Sequence, residues 1–174
     1  TPLLVSDVTP SEFIDMQSSA NMVAEDCISI NSLGVTSDTS SGVVFKNLTH
    51  VDRFNGLANA TNPAYAATSR FGSSNVTIDG ITWSEGQHPY SGGVNVSSSS
   101  GVKARNIGSI SSPLPHGNFE PNLYAPASLF QSSGNNTNIK VQRGVIAGVR
   151  STLIGSANTD VNVTLEHLRV GQPY

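Results

Sequence analysis

The stretch WSEGQHPYSGG, Trp83 to Gly93, gathers side chains suited to holding a sugar. Trp83 and Tyr90 offer flat apolar faces with a polar edge. Glu85 and His88 stand between them and offer hydrogen bonds. Phe119 and Tyr124, with Phe54 and Tyr65, repeat the aromatic theme elsewhere in the chain. Trp83, Glu85, His88, Tyr90, Phe119 and Tyr124 are therefore the candidate contacts for a glycan or a protein partner, since aromatics are also enriched at interfaces. The plainer alternative is that these rings cover the wall of their own fold.

Catalytic chemistry finds less material. Ser is abundant, but no Gly-x-Ser-x-Gly element is present. The four histidines, His50, His88, His116 and His167, lack metal-ligand spacing, and the aspartates lack that of a calcium loop. We assign no catalytic residue, no metal and no cofactor. Cys27 is the one cysteine, so no internal disulfide can form, and it reads as a small apolar side chain.

These residues must be positioned by strands that recur. Val43, Phe45 and Leu48 fit the pattern apolar-x-apolar-x-small-apolar, as do Val76, Ile78 and Ile81, and Val102, Ala104 and Ile107. Ile139 and Val141 follow, with Val145 one position late, then Val163, Leu165 and Leu168. Ile28, Ile30 and Leu33 open the series. Alternation with period 2 predicts a strand with one buried face, and the Asn or Gly predicts a bend. Most copies follow a short apolar couplet and a Ser/Gly/Asn turn, as in VNVSSSSG and SLFQSSGNNTN. From first apolar to first apolar the copies lie about 15, 33, 26, 37 and 24 residues apart, the range of a solenoid. Each copy would be one rung, and Val51 to Ser73 and Ile110 to Ser128 would be loop insertions. A β-sandwich or jelly roll also predicts alternation, but not the same grammar around every copy.

In this register Asn31, Lys46, Asp79, Arg105, Gln142 and Glu166 form an outward stripe. Adjacent strands lie about 4.8 Å apart, so Asp79 and Glu166 would stand roughly 14 Å from each other. Glycoside hydrolysis uses two carboxylates at about 5–9.5 Å, so the stripe holds no catalytic pair.

The N-terminus reads differently. TPSEF, Thr9 to Phe13, is a capping box and predicts a helix over about Pro10 to Ser18. It would cover the open end of the stack, or join Leu3, Leu4, Val5 and Phe13 in an arm that docks on another subunit. Residues 1–24 are thus expected to form the arm and capping helix, and residues 25–174 an all-β parallel β-helix or solenoid of about five to six short rungs with long loop insertions.

Bulk composition narrows the partners. The chain has 174 residues, 37% hydrophobic and 12% charged, against a usual charged share of roughly 25%. Its net charge is −3, with no basic cluster in the sequence, which argues against nucleic acid. No apolar run approaches the roughly 20 residues of a membrane-spanning helix. The six Asn-x-Ser/Thr sites, Asn47, Asn59, Asn75, Asn95, Asn135 and Asn162, owe much to the abundance of these residues.

NVTIDGITW, GVKARNIGSI and NIKVQRGVI resemble the rung strands of right-handed parallel β-helix proteins, the pectate-lyase-like superfamily. The resemblance covers roughly Cys27 to Val170 and bears on fold more than on function. The superfamily includes polysaccharide lyases and hydrolases, and bacteriophage tailspikes, fibres and surface decorations. NTD at Asn158 to Asp160 is similar to one piece of a polygalacturonase motif, but its companion elements are missing. The resemblance therefore implies a structural protein on the exterior of a bacteriophage virion. The expected form is a homotrimeric capsid decoration or cement protein resting on the major capsid protein or another virion protein. The alternative is a tailspike or fibre segment that binds or degrades a surface polysaccharide.

Overall fold

The computed structural model describes residues 13–30, 32–51, 64–85, 91–111, 128–146, 152–156 and 160–170. Among them there are thirteen strands and no helix. One sheet runs β1 (Ile14–Gln17), β4 (Val35–Asp38), β6 (Ala64–Arg70), β8 (Ser91–Ser97), β10 (Ser128–Ser133), β12 (Thr152–Ser156). The other runs β13 (Val161–Val170), β11 (Thr137–Ile146), β9 (Lys103–Ser111), β7 (Thr77–Glu85), β5 (Val44–Val51), β2 (Val23–Glu25), with β3 (Ile28–Ile30) also on β5. Every pairing is parallel. The chain alternates between the sheets, so strands adjacent in sequence rarely pair. This is an all-β, β-solenoid-like arrangement.

Register explains why the same strand is written repeatedly. Phe45, Ile78, Ala104, Val141 and Leu165 pair successively across the second sheet, as do Leu48, Ile81, Ile107, Gly144 and Leu168. Identical periodicity therefore stacks apolar side chains in rows, and all these residues from Phe45 to Val141 are buried. Phe130, Val94, Ala67 and Val35 form the matching row of the first sheet. Each fully buried side chain of this size contributes about 1.5–3 kcal/mol.

Within the strands of the larger sheet and between the sheets, the backbone turns through left-handed residues at fixed places. One bend holds Asp26, Asn47, Gly80, Asn106, Arg143 and His167, all at positive φ. A second holds Asn21, Gly42, Asn75, Gly101, Asn138 and Asn162, and a third Ser18, Thr39, Phe71, Ser98 and Gly134. Asn, Asp and Gly tolerate this conformation, which is why the sequence places them there.

Buried serines line the third bend. Ser40 Oγ donates to Met16 O at 2.7 Å, and Ser73 Oγ to Ser37 O at 3.0 Å. Asn136 replaces serine in the next-to-last copy: it accepts from Ser99 N at 2.8 Å and donates to Ser132 Oγ at 2.8 Å and Ser133 O at 3.0 Å. The row Ser19, Ser40, Ser73, Ser99, Asn136, Asp160 marks the copies at spacings of 21, 33, 26, 37 and 24 residues.

Three expectations are corrected. The helix over Pro10 to Ser18 is not formed where it can be seen, because Ile14–Gln17 is strand β1 paired with β4. Met16 is buried while Asp15 and Gln17 are exposed, an alternation that suits a strand, and Ser18 ends it at positive φ. Thr9 to Glu12 lie outside the described residues, and the expected boundary after residue 24 falls inside β2. The first copy is SANMVAED, not Cys27 to Leu33, for Ala24 pairs with Phe45 whereas Ile28 pairs with Thr49 and is 50% exposed. In β11 the inward place belongs to Gly144, not Val145, because Leu129 fills the space a side chain would need.

Candidate functional site

The outer face of the larger sheet carries the expected stripe with one substitution. Glu25, Lys46, Asp79, Arg105, Gln142 and Glu166 stand in one register, Glu25 taking the place expected of Asn31. Asn31 itself lies outside the described residues. Lys46 bonds Glu25, Arg105 Nε donates to Asp79 at 2.8 Å, and Gln142 donates to Glu166. Lys140 adds an ion pair to Glu166 at 3.4 Å.

These contacts decide what the carboxylates can do. Burial pushes the Asp79 carboxyl up, but hydrogen bonds from Arg105 and Asn106 and the Arg105 charge more than offset it, leaving it below the usual range. The Gln142 hydrogen bond lowers Glu166 in the same way, opposed by burial and aided by Lys140. Both groups are held ionised at neutral pH, the opposite of what a general acid requires.

The cations on this face are less fully matched. Lys103 pairs in register with Lys140 on one side and Thr77 on the other. Among the described residues Lys103 has no ion-pair partner, and neither has Arg143. Thr77, Lys103, Ala104, Arg105 and Gln142 line a shallow depression here. Neighbouring strands are about 4.8 Å apart, so the two paired strands β9 and β11 present Lys103 and Arg105, and Lys140 and Arg143, to one bound molecule.

Of the expected aromatic site, the structure describes Trp83 and the backbone of Glu85. Trp83 is fully buried, because it stands two residues after Ile81 and so points inward. Gly93 faces it: a Cβ there would lie 2.8 Å from the indole ring. Trp83 cannot stack on a sugar in this position. Glu85 ends β7 opposite Ser111. His88, Tyr90, Phe119 and Tyr124 lie outside the described residues, as do Phe54 and the arm residues Leu3, Leu4 and Val5. Phe13 packs against this chain's own core and donates its N–H to Gly34 O at 2.7 Å. Tyr65 is buried, which pushes its phenol up to about 12.

Two arrangements escaped the sequence reading. One is a buried relay: Gly34 N donates to Ser32 Oγ at 3.1 Å, Ser32 and Ser29 share a hydrogen bond of 2.6 Å, and Ser29 Oγ lies 3.0 Å from His50 Nδ1. His50 Nε2 and Trp83 Nε1, on paired residues, find no partner. The other is Phe71, an exposed aromatic at a bend where other copies hold Ser, Thr or Gly.

No family model matches the chain, and no curated protein does. Among solved structures, the chain is similar to that of a protein from Parabacteroides merdae described as a "putative glycosyl hydrolase". The likeness has a TM-score of 0.66 at 8% identity, and covers 91% of this chain and 77% of that one. At such identity the likeness is one of fold, and it agrees with the parallel sheets described above.

Proposed function

We propose that the chain is a short parallel β-helix whose rungs expose one face to bind an extended acidic glycan without cleaving it. The observation that carries this reading is the pair of cations without ion-pair partners, Lys103 and Arg143, on the adjacent strands β9 and β11, joined there by Arg105 and Lys140, which are bridged to Asp79 and Glu166, with Lys103 and Arg105 lining a depression. A polysaccharide with regularly spaced carboxylates or sulfates meets such a row at several points, and weak charge contacts then add through multivalency. The ionised state of Asp79 and Glu166 leaves neither poised as a general acid for hydrolysis. The test is calorimetric titration with a uronate oligosaccharide and its neutral counterpart, with a parallel assay for released ends. Binding confined to the acidic ligand, weakened by salt and by Lys103→Glu, supports the reading. Equal affinity for both ligands, or steady product release, overturns it.

This reading suits a tailspike or fibre segment on a bacteriophage exterior. A second reading, a homotrimeric decoration protein seated on a major capsid protein, draws on the apolar end of the larger sheet. There Val161 is 53%, Val163 38% and Leu165 37% exposed on edge strand β13, a surface that an assembly would cover.

A further inference from the structure

Phe71 breaks the pattern of its bend in three ways. It is bulky where the matching residues are Ser18, Thr39, Ser98 and Gly134. It is 61% exposed, so it does not fill the core. Its φ is +52°, in a four-residue turn closed by Ser73 N donating to Arg70 O at 3.2 Å, with Gly72 at φ +85° beside it. Positive φ at both central residues is the type I′ geometry, which favours Asn or Gly at the place Phe71 occupies. A large side chain held in this conformation and turned towards solvent points to a role outside folding.

Its surroundings define what it fits. The Arg70 guanidinium lies over the ring, 5.1 Å from its centroid. Arg70 Nε donates to Asp38 Oδ2 at 3.2 Å, and Thr39 Oγ1 donates to Asp38 Oδ1 at 2.8 Å. One face of the ring is thus covered by a guanidinium that is itself held by a carboxylate, which in turn accepts from a hydroxyl, while the ring as a whole stays exposed. Gly72 is open, for a Cβ there would meet nothing within 4 Å. A pyranose has the complementary surface, with C–H bonds on one face for the aromatic ring and hydroxyls at the rim for Asp38 and Arg70. The local charges are already paired at Arg70 and Asp38, so a neutral sugar fits better than an acidic one.

We propose that Phe71, with Arg70 and Asp38, forms a second recognition point that stacks a neutral pyranose ring. It goes beyond the sheet-face reading, because it uses a different bend and an uncharged ligand, and either can fail alone. The experiment titrates the chain with cellohexaose, mannohexaose and xylohexaose up to about 10 mM, a range that reaches millimolar affinities. NMR follows the Phe71 ring and the Asp38, Thr39 and Arg70 amides. Saturable shifts confined to these groups with at least one sugar are expected. Phe71→Asn should weaken that binding by about tenfold or more, as expected for loss of a stacking ring, while leaving the melting temperature unchanged or higher because Asn suits the turn. Phe71→Trp should retain binding. Lys103→Glu should leave it unaltered, and Phe71→Asn should leave binding of the acidic oligosaccharide unaltered. Absence of shifts with all three sugars, or binding that survives Phe71→Asn, overturns the proposal. So does a fall in melting temperature, which would make Phe71 structural, or a change of native mass without sugar binding, which would make it a protein contact.

Discussion

His50 is a neutral histidine sealed in the interior, and its titration is therefore a property of the fold. Burial lowers its pKa from 6.5 to about 4. The groups facing it are Ser29, through Nδ1, and Trp83 in the paired position, neither of which carries charge near neutrality. In the unfolded chain His50 takes a proton near pH 6.5, while in the fold it resists until about pH 4. Its contribution is therefore complete above pH 6.5 and is lost as pH falls towards 4, amounting to about 3 kcal/mol. Urea unfolding of the wild type and His50→Phe across this range should show the wild type losing more stability on acidification. Parallel curves would mean that His50 is accessible to protons in the fold. The inward direction of His50 is legible in the sequence, since it lies two residues after Leu48 in an alternating strand. Its bond to Ser29 is not, because that bond depends on β3 pairing beside β5, which no periodicity encodes.

At the scale of the strand and its bend, the second left-handed row shows how a repeat is specified. Asn21, Gly42, Asn75, Gly101, Asn138 and Asn162 occupy equivalent places, so Asn and Gly alternate through the first four. A Cβ on Gly101 would sit 3.0 Å from Asn75 Oδ1, which shows the Asn amide lying over the glycine of the next copy. Where two asparagines meet instead, Asn162 Nδ2 donates to Asn138 Oδ1 at 3.1 Å. Gly101→Ala should therefore cost about 1–2 kcal/mol, from the positive φ and the crowding together. Gly101→Asn should cost less, because Asn tolerates the conformation and can join the amide row. Denaturant midpoints give the order directly, and equal losses for both variants would remove the amide row from the account. The later copies were legible because Val43, Val76, Val102 and Ile139 begin strong alternating runs straight after these bends. The first was not, because Met22, Ala24 and Cys27 make a weak apolar signal and Ile28 and Ile30 a stronger false one. The sheet-face cations were hidden for a related reason. Lys103 and Lys140 are 37 residues apart in sequence, and only correct pairing sets them side by side.

For the whole molecule the open question is what stops such stacks from growing. Edge strands of a parallel sheet offer unpaired backbone groups to another chain. Among the described residues β13 ends one side of the larger sheet and β2 the other, with Val163 and Leu165 exposed at the first and Val23 at the second. Head-to-tail joining of two copies would generate an open filament. The outward stripe opposes it. Its members alternate in sign from Glu25 to Arg105, but Gln142 interrupts the alternation, so the stripe begins and ends with a carboxylate. In-register joining would set Glu166 against Glu25 of the next copy about 4.8 Å away, and like charges directly opposite are destabilising. Wild-type chain should therefore keep one native mass over a wide concentration range, whether as a single chain or as the proposed trimer. Glu166→Lys should convert the repulsion into attraction and give a mass by light scattering that rises with concentration and falls again in high salt. A wild type that already polymerises head to tail would show that the carboxylates do not govern the ends. A Glu166→Lys chain of unchanged mass would place the barrier elsewhere along β13.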